Sequence, residues 1–299
     1  MQRAVTGVLD IAYETGGPPH APVVLLLHGW PDDIRGWRGV APRLHAAGFR
    51  TVAPYLRGFG PTRFRSPQTR RDGRGVALAH DAIALMDGLG ITRFAVAGHD
   101  WGARAAYTLA ALFPDRIAAA AALALAYQPS GVFTTPSFAQ SRLFWYQWFL
   151  CVDGGVARVR EDPKGFARLL WETWSPPGWF DDAEFQATAR SFENPDWAEI
   201  TIHAYRERWR PEPSDPRYDI LKSQLRATET VSVPTLMIQG GDDRCDPPSA
   251  SEGQERWFSG PYHRLVLDGV GHFPAREAPD AVAAALASHL ARHESSRLR

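Results

Sequence analysis

Apolar positions along the chain follow two rhythms. Pro22 to Leu27 (PVVLLL) is an unbroken apolar run of β type, as expected for a strand covered on both faces, and it stops at His28-Gly29. Arg50 to Tyr55 (RTVAPY) predicts a second strand, ended by the turn Arg57-Gly58-Phe59-Gly60. Val76, Ala79, Ile83 and Met86 recur at helical spacing and predict a helix over 75–89. Phe94 to Ala97 (FAVA) predicts a third strand, and Ala103 to Phe113 a helix stopped before Pro114. Ile117 to Tyr127 is ambiguous: its alanines favour helix, but its place after a helix and a Pro-Asp turn favours strand. Strand–helix alternation with short connections implies a parallel sheet, and on that ground the run is read as a strand.

The alternation then breaks. Pro129 to Arg217 contains no clear strand, many aromatics, and helical stretches at 141–151, 164–173, 181–190 and 196–209. Sheet pattern returns with Thr235 to Gln239 (TLMIQ), a helix over 251–257, the strand His263 to Leu267 (HRLVL) and a last helix over 279–293. The predicted architecture is α/β: a mostly parallel twisted sheet flanked by helices, with its two core parts at 1–128 and 219–299 separated by a helical cap at 129–218.

Composition narrows the function classes. Of 299 residues 44% are hydrophobic and 22% charged, which argues against disorder and fibrous repeats. Thirty-three basic residues balance thirty-three acidic ones, leaving no electrostatic footprint for nucleic acid or an anionic membrane. The longest apolar run, Ile117 to Tyr127, falls short of the ~20 residues that span a bilayer. The first residues show no apolar secretory stretch, and Cys151 and Cys245 do not form a CxxC pair, so a cytoplasmic protein with free thiols is expected.

The candidate chemistry centres on Gly98-His99-Asp100-Trp101-Gly102, directly after an apolar strand and before a helix. Gly-x-nucleophile-x-Gly at such a junction marks a nucleophile elbow, where a cramped turn pushes the central side chain beyond the sheet. The central residue here is Asp100 rather than serine. A carboxylate is already ionised at pH 7, with a reference pKa of about 3.9, and can displace a leaving group at saturated carbon to form an alkyl ester. A base is then needed to drive water onto the ester. His272, in Gly269-Val270-Gly271-His272-Phe273-Pro274 after the last strand, is that candidate. Its orienting acid is sought after the preceding strand, in Gly240-Gly241-Asp242-Asp243-Arg244. Asp243 is preferred, with Asp242 and Asp246 as rivals. The backbone N–H groups of Trp30 and Trp101 are placed as the oxyanion hole, and His28 as a turn-stabilising residue. A serine esterase does not fit, since Ser130 and Ser137 lack a G-x-S-x-G context. A non-enzymatic receptor would have no use for nucleophile, acid and base in this order.

The set His28-Gly-Trp-Pro31-Asp32, Arg57-Gly-Phe-Gly60, Gly98-His-Asp-Trp-Gly102 and Gly271-His-Phe273 resembles the α/β-hydrolase-fold epoxide hydrolases across nearly the whole chain. That resemblance implies two cap tyrosines donating hydrogen bonds to the epoxide oxygen. Tyr146, in Phe144-Trp145-Tyr146-Gln147-Trp148-Phe149, and Tyr205, in Ala204-Tyr205-Arg206, match their local contexts. It also implies an apolar epoxide and water as substrates, a monomer or homodimer, and neither metal nor other cofactor. Among the aromatics at Trp145, Trp148, Trp171, Trp174, Trp179, Phe180 and Trp209, most are expected to pack the cap on the core, with Trp145 and Trp148 placed against the substrate. Haloalkane and haloacetate dehalogenases share the aspartate elbow and form the alternative. Arg104 matches the second of two carboxylate-binding arginines in the haloacetate enzymes, but Trp101 occupies the position of the first.

Overall fold

The computed structural model describes residues 1–294. Its centre is one nine-stranded sheet. In chain order the strands are β1 (Gln2–Val5), β2 (Leu9–Gly16), β3 (Val23–Leu27), β4 (Arg50–Pro54), β5 (Arg63–Phe64), β6 (Phe94–His99), β7 (Ile117–Leu123), β8 (Thr235–Gly240) and β9 (Tyr262–Leu267). Their spatial order is β1-β2-β4-β3-β6-β7-β8-β9, with β5 paired to β2. From β4 to β9 every neighbouring pair is parallel, whereas β1, β2 and β5 pair antiparallel.

The strands expected from apolar runs form where the pattern placed them. Ile117–Leu123 is β7, completely buried between β6 and β8. Its five consecutive alanines are good helix formers, so here the pairing available on both edges overrides local propensity. Two pairs of helices cover the sheet: Gly75–Gly88 with Trp101–Leu112, and Ala41–Ala46 with Pro279–Glu294.

Three expectations need correction. The β1–β2 hairpin, with β5 on its edge, was not among the predicted strands: much of β1 is exposed, so it carries no apolar run. The helix expected over 251–257 is two short 3-10 turns, Pro248–Ser251 and Gln254–Trp257, because Gly253 adopts a left-handed φ of +64° between them. The helix expected over 141–151 is broken at Phe144 into Phe138–Leu143 and Trp145–Phe149.

Between β7 and β8 the chain is helical, with Asp153–Glu161, Pro163–Trp174, Asp182–Ala189, Trp197–Trp209 and Asp219–Ala227 as its longer elements. Its buried tryptophans reach the loops at the carboxyl ends of the strands. Trp171 Nε1 donates to the Pro31 carbonyl at 2.7 Å, and the Trp30 indole donates back to Thr201 Oγ1 at 2.8 Å. Among the described residues no helix is long and apolar enough to cross a membrane.

The turn after β6 depends on close backbone approach. A Cβ on Gly98 would lie 2.0 Å from the Gly102 carbonyl oxygen, and one on Gly102 would lie 2.2 Å from that of Leu27. Alanine at either position should therefore lower stability by about 1–3 kcal/mol through forced backbone displacement. Urea denaturation reads this directly, and an unchanged midpoint would show that the turn is not packed this tightly.

Candidate active site

Asp100 ends β6 at the start of helix Trp101–Leu112, with φ +47° and ψ −108°. A non-glycine residue there costs on the order of 1–3 kcal/mol and persists only where its surroundings fix it. The strand fixes it from one side, where the Asp100 amide donates to the Leu123 carbonyl at 3.1 Å. The loop after β3 holds the side chain: the Trp30 amide donates to Asp100 Oδ1 at 2.9 Å. Oδ2 lies 3.9 Å from His272 Nε2, a nitrogen with no hydrogen-bond partner.

His272 follows β9 in a tight loop and is wholly buried. Its Nδ1 lies 2.8 Å from Asp243 Oδ2. Asp243 follows β8, and its other oxygen accepts the amides of Cys245 and Asp246 at 2.8 and 2.9 Å. The structure thus brings Asp100, His272 and Asp243 into one chain of contacts. Of the rivals, Asp242 is exposed, and Asp246 is buried but does not touch the imidazole. Burial and the neighbouring Asp243 charge push the Asp246 carboxyl up to about 7. Burial disfavours a charged His272 ring, but the Asp243 carboxylate, its hydrogen bond and Asp100 outweigh that and raise the ring to about 9.

Sequence reasoning missed the support of the His272 loop. Glu277 accepts the amides of Gly271 at 2.6 Å and Phe273 at 2.9 Å, and the Ser175 hydroxyl at 2.7 Å. Ser175 in turn accepts the His272 amide at 2.8 Å. Ser175 lies just past helix Pro163–Trp174, so the helical region itself helps hold the imidazole. No motif announces a glutamate five residues downstream in this role. His28 behaves as a turn residue: its Nε2 accepts the Leu56 amide at 3.0 Å, and its Nδ1 faces the Gly29 carbonyl.

Two buried phenols feel the Asp100 charge. Tyr146 and Tyr205 are buried with rings edge to face at 5.2 Å, and both pack on Trp30. The Tyr205 hydroxyl accepts from Trp101 Nε1 at 3.2 Å, and that of Tyr146 accepts from Gln147 Nε2 at 3.0 Å and also lies 3.7 Å from Cys245 Sγ, where either atom can donate. The Tyr205 hydroxyl therefore keeps its own proton to donate, while that of Tyr146 is shared with the Cys245 thiol. Burial pushes both phenols well above their ordinary value, and the Asp100 carboxylate adds to the shift in each.

Trp145 and Trp148, expected against the substrate, border neither of the two cavities described below. Trp145 packs against Phe149 and Phe166, while Trp148 lies 4.7 Å from Trp209 and donates to the Ser141 carbonyl. Two cavities share Arg104, Phe133 and Arg208 in their walls. One is bordered by Trp101, Arg104, Phe133, Ala204 and Arg208, the other by Arg104, Phe133, Phe144, Gln147, Arg208 and Asp246. Asp100 borders neither of these cavities; its neighbour Trp101 borders the first.

Residues 22–279 match the family profile described as alpha/beta hydrolase fold. The chain belongs to this alpha/beta hydrolase family. Among relatives of this hydrolase, epoxide hydrolase A of Mycobacterium tuberculosis is 28% identical over 92% of each chain. A Klebsiella pneumoniae protein whose crystal structure is described as a candidate epoxide hydrolase is 37% identical over 97% of each chain, with a TM-score of 0.89. Epoxide hydrolase A of Mycobacterium thermoresistibile is 26% identical over 97% of each chain, with a TM-score of 0.80.

Both carboxylates favour the charged imidazole, so removing either should lower the ring's pKa. In Asp243→Asn the His272 resonances should titrate well below the value near 9, and in Asp100→Asn by a smaller step, as read by NMR on labelled protein. A ring titrating unchanged in Asp243→Asn would mean that the pair does not exist in solution. Glu277→Ala, which frees two amides and a hydroxyl, should lower stability by about 1–3 kcal/mol in thermal or chemical unfolding.

Proposed function

We propose that this hydrolase opens epoxides to vicinal diols through an ester on Asp100. The observation that carries the reading is two buried phenols within the field of a buried, singly hydrogen-bonded carboxylate. Asp100 Oδ2 attacks the less hindered ring carbon, and the carbon–oxygen bond of the ring breaks. The departing oxygen takes a proton from Tyr146 or Tyr205. A phenol that holds its proton at neutral pH can give it to an alkoxide, a far more basic oxygen, as charge develops there. Oδ1 becomes the ester carbonyl oxygen, already facing the Trp30 amide, with the Trp101 amide as second donor to the oxyanion.

Ester formation removes the Asp100 charge, one of those that keep His272 protonated. The imidazole therefore becomes easier to deprotonate at the stage when a base is required. Once its proton has returned to the phenolate, Nε2 takes one from water as that water attacks the ester carbonyl carbon. Collapse releases the diol and leaves a water oxygen in the Asp100 carboxylate. Asp243 holds the imidazole in position and balances its charge through both steps. The helices over 129–218 act as the cap, and the substrate is an apolar epoxide. Two free thiols, Cys151 and Cys245, support a reducing cytoplasmic location, and the working unit is a monomer or homodimer.

A second reading, dehalogenation at the same carboxylate, draws support from the indole N–H groups of Trp174 and Trp197, buried in the helical region without hydrogen-bond partners. Such donors suit a leaving halide. Turnover of chloroalkanes or fluoroacetate in preference to styrene oxide would favour it.

In single turnover of styrene oxide in 18-O water, the first diol should lack label and the label should enter the protein at Asp100. Label in the first diol would rule out the ester. Tyr146→Phe with Tyr205→Phe should slow epoxide opening by at least a hundredfold, in line with general-acid contributions of roughly 10²–10⁴. Surviving epoxide turnover would remove the tyrosines from the reaction.

A further inference from the structure

The two phenols differ in what holds their hydroxyls. Gln147 is buried, and its Oε1 accepts the Trp209 indole N–H at 3.0 Å. An indole nitrogen only donates, so the amide oxygen must face Trp209 and the amide NH2 must face Tyr146. The Trp209 ring is itself packed on Trp148 at 4.7 Å. Gln147 therefore occupies one lone pair of the Tyr146 oxygen, and the hydroxyl proton is directed elsewhere. Among the described residues Cys245 Sγ, 3.7 Å away, is the group placed to receive it.

Cys245 is fixed for this role through both groups of its backbone. Its amide donates to Asp243 Oδ1 at 2.8 Å, and its carbonyl accepts Gln140 Nε2 at 2.9 Å. Burial and the Asp243 and Asp246 charges push the thiol well above its ordinary value, so it stays protonated and inert as a nucleophile. Tyr205 is held differently. Its oxygen accepts the Trp101 indole N–H, and among the described residues its own O–H meets no acceptor. The Arg208 guanidinium lies 4.2 Å over its ring, a cation that favours negative charge on that phenol. The hydroxyl of Tyr146 touches only the neutral Gln147 and Cys245, and a buried anion without a cation is costly.

We infer that Gln147 and Cys245 are positioning residues that make the phenols unequal: they fix Tyr146 as a hydrogen-bond donor that keeps its proton, and Tyr205 is the phenol that gives its proton up. The inference deepens the epoxide reading above and rests on it. As the bond from Asp100 Oδ2 to carbon forms and the ring carbon–oxygen bond breaks, the Tyr205 proton passes to the departing oxygen. Its phenolate then faces the Trp101 N–H, with Arg208 over the ring, until the His272 proton returns to it. The Tyr146 O–H turns from sulfur to the same oxygen. That loss is small because sulfur is a weak acceptor, and the thiol keeps its hydrogen throughout.

Stopped-flow tryptophan fluorescence with styrene oxide, which separates ester formation from ester hydrolysis, tests this. Tyr205→Phe should slow ester formation at least about tenfold more than Tyr146→Phe does. Cys245→Ala and Gln147→Leu should each slow it about two- to tenfold, the worth of one hydrogen bond, and slow ester hydrolysis by a smaller factor. Both effects should vanish in a Tyr146→Phe background and persist in Tyr205→Phe, and Cys245→Ser should restore ester formation. Equal slowing in the Tyr146→Phe background would reduce both residues to packing and overturn the proposal. So would matching losses in the two phenylalanine variants. A readout free of turnover is the S–H infrared band of Cys245, isolated by Cys151→Ser. It should shift in Tyr146→Phe and stay in place in Tyr205→Phe, and an unmoved band in Tyr146→Phe would overturn the proposal. A shifted band without any epoxide turnover would support the hold of Cys245 on Tyr146 and refute the epoxide reading.

Discussion

The arrangement depends on one electrostatic constraint: a buried imidazole shared by two buried carboxylates. Asp100, His272 and Asp243 are each at most 5% exposed, and charges taken out of water are stable only when paired and hydrogen-bonded. Here the carboxylates are satisfied by amides as well as by the ring. Asp100 draws on Trp30, and Asp243 on Cys245 and Asp246. A charged ring between two anions leaves the cluster with one net negative charge, and a third carboxylate would raise it further. Asp246 sits beside Asp243, and its carboxyl, pushed up to about 7, limits that addition. The asymmetry of the two distances matters as well. The 2.8 Å contact to Asp243 fixes the ring, while the 3.9 Å gap to Asp100 leaves Nε2 uncommitted.

This constraint explains why the helical region cannot be a passive cover. The loop bearing His272 is held from the sheet side by Glu277 and from the helical side by Ser175, and the two are bonded to each other. Arg276, one residue before Glu277, reaches Asp32 on the loop after β3 and Glu184 and Thr188 in helix Asp182–Ala189. The same short segment after β9 therefore positions the imidazole and bolts the helices to the sheet. Displacing those helices would loosen the base as well as open the niche.

The sheet and the reactive loops were legible in the sequence because each rests on local chemistry. Apolar runs give buried parallel strands, and two glycines framing Asp100 give the elbow. Histidine and aspartate follow successive strands in the order the geometry needs. Of the β1–β2 hairpin, β1 is mostly exposed and carries no apolar run, whereas β2 does alternate, with Leu9, Ile11 and Tyr13 buried, and was overlooked because the alternation is short. Tyr146 and Tyr205 lie 59 positions apart in number and meet only through packing on Trp30; their pairing entered through resemblance, not periodicity. Placing Trp145 and Trp148 against the substrate rested on composition alone. Flanking a functional position in a helix says nothing about facing the same way, because a step of one residue turns the side chain by about 100°. Glu277 and Ser175 were invisible for another reason: both act across tertiary contacts that no spacing encodes.

The division of labour follows from where charge can be stabilised. Strand ends offer backbone amides and rigid turns, so the ionised groups of the site stand there. The helical region contributes neutral hydroxyls and indoles, which tolerate burial at lower cost than ions. It can vary in shape without disturbing the charged cluster as long as Ser175 keeps its hold on the His272 amide. Arg208 is an exception, a cation from the helical side resting on the Tyr205 ring. There it lowers the acidity penalty that burial imposes on both phenols. A single guanidinium thus rests on the Tyr205 ring and borders both cavities together.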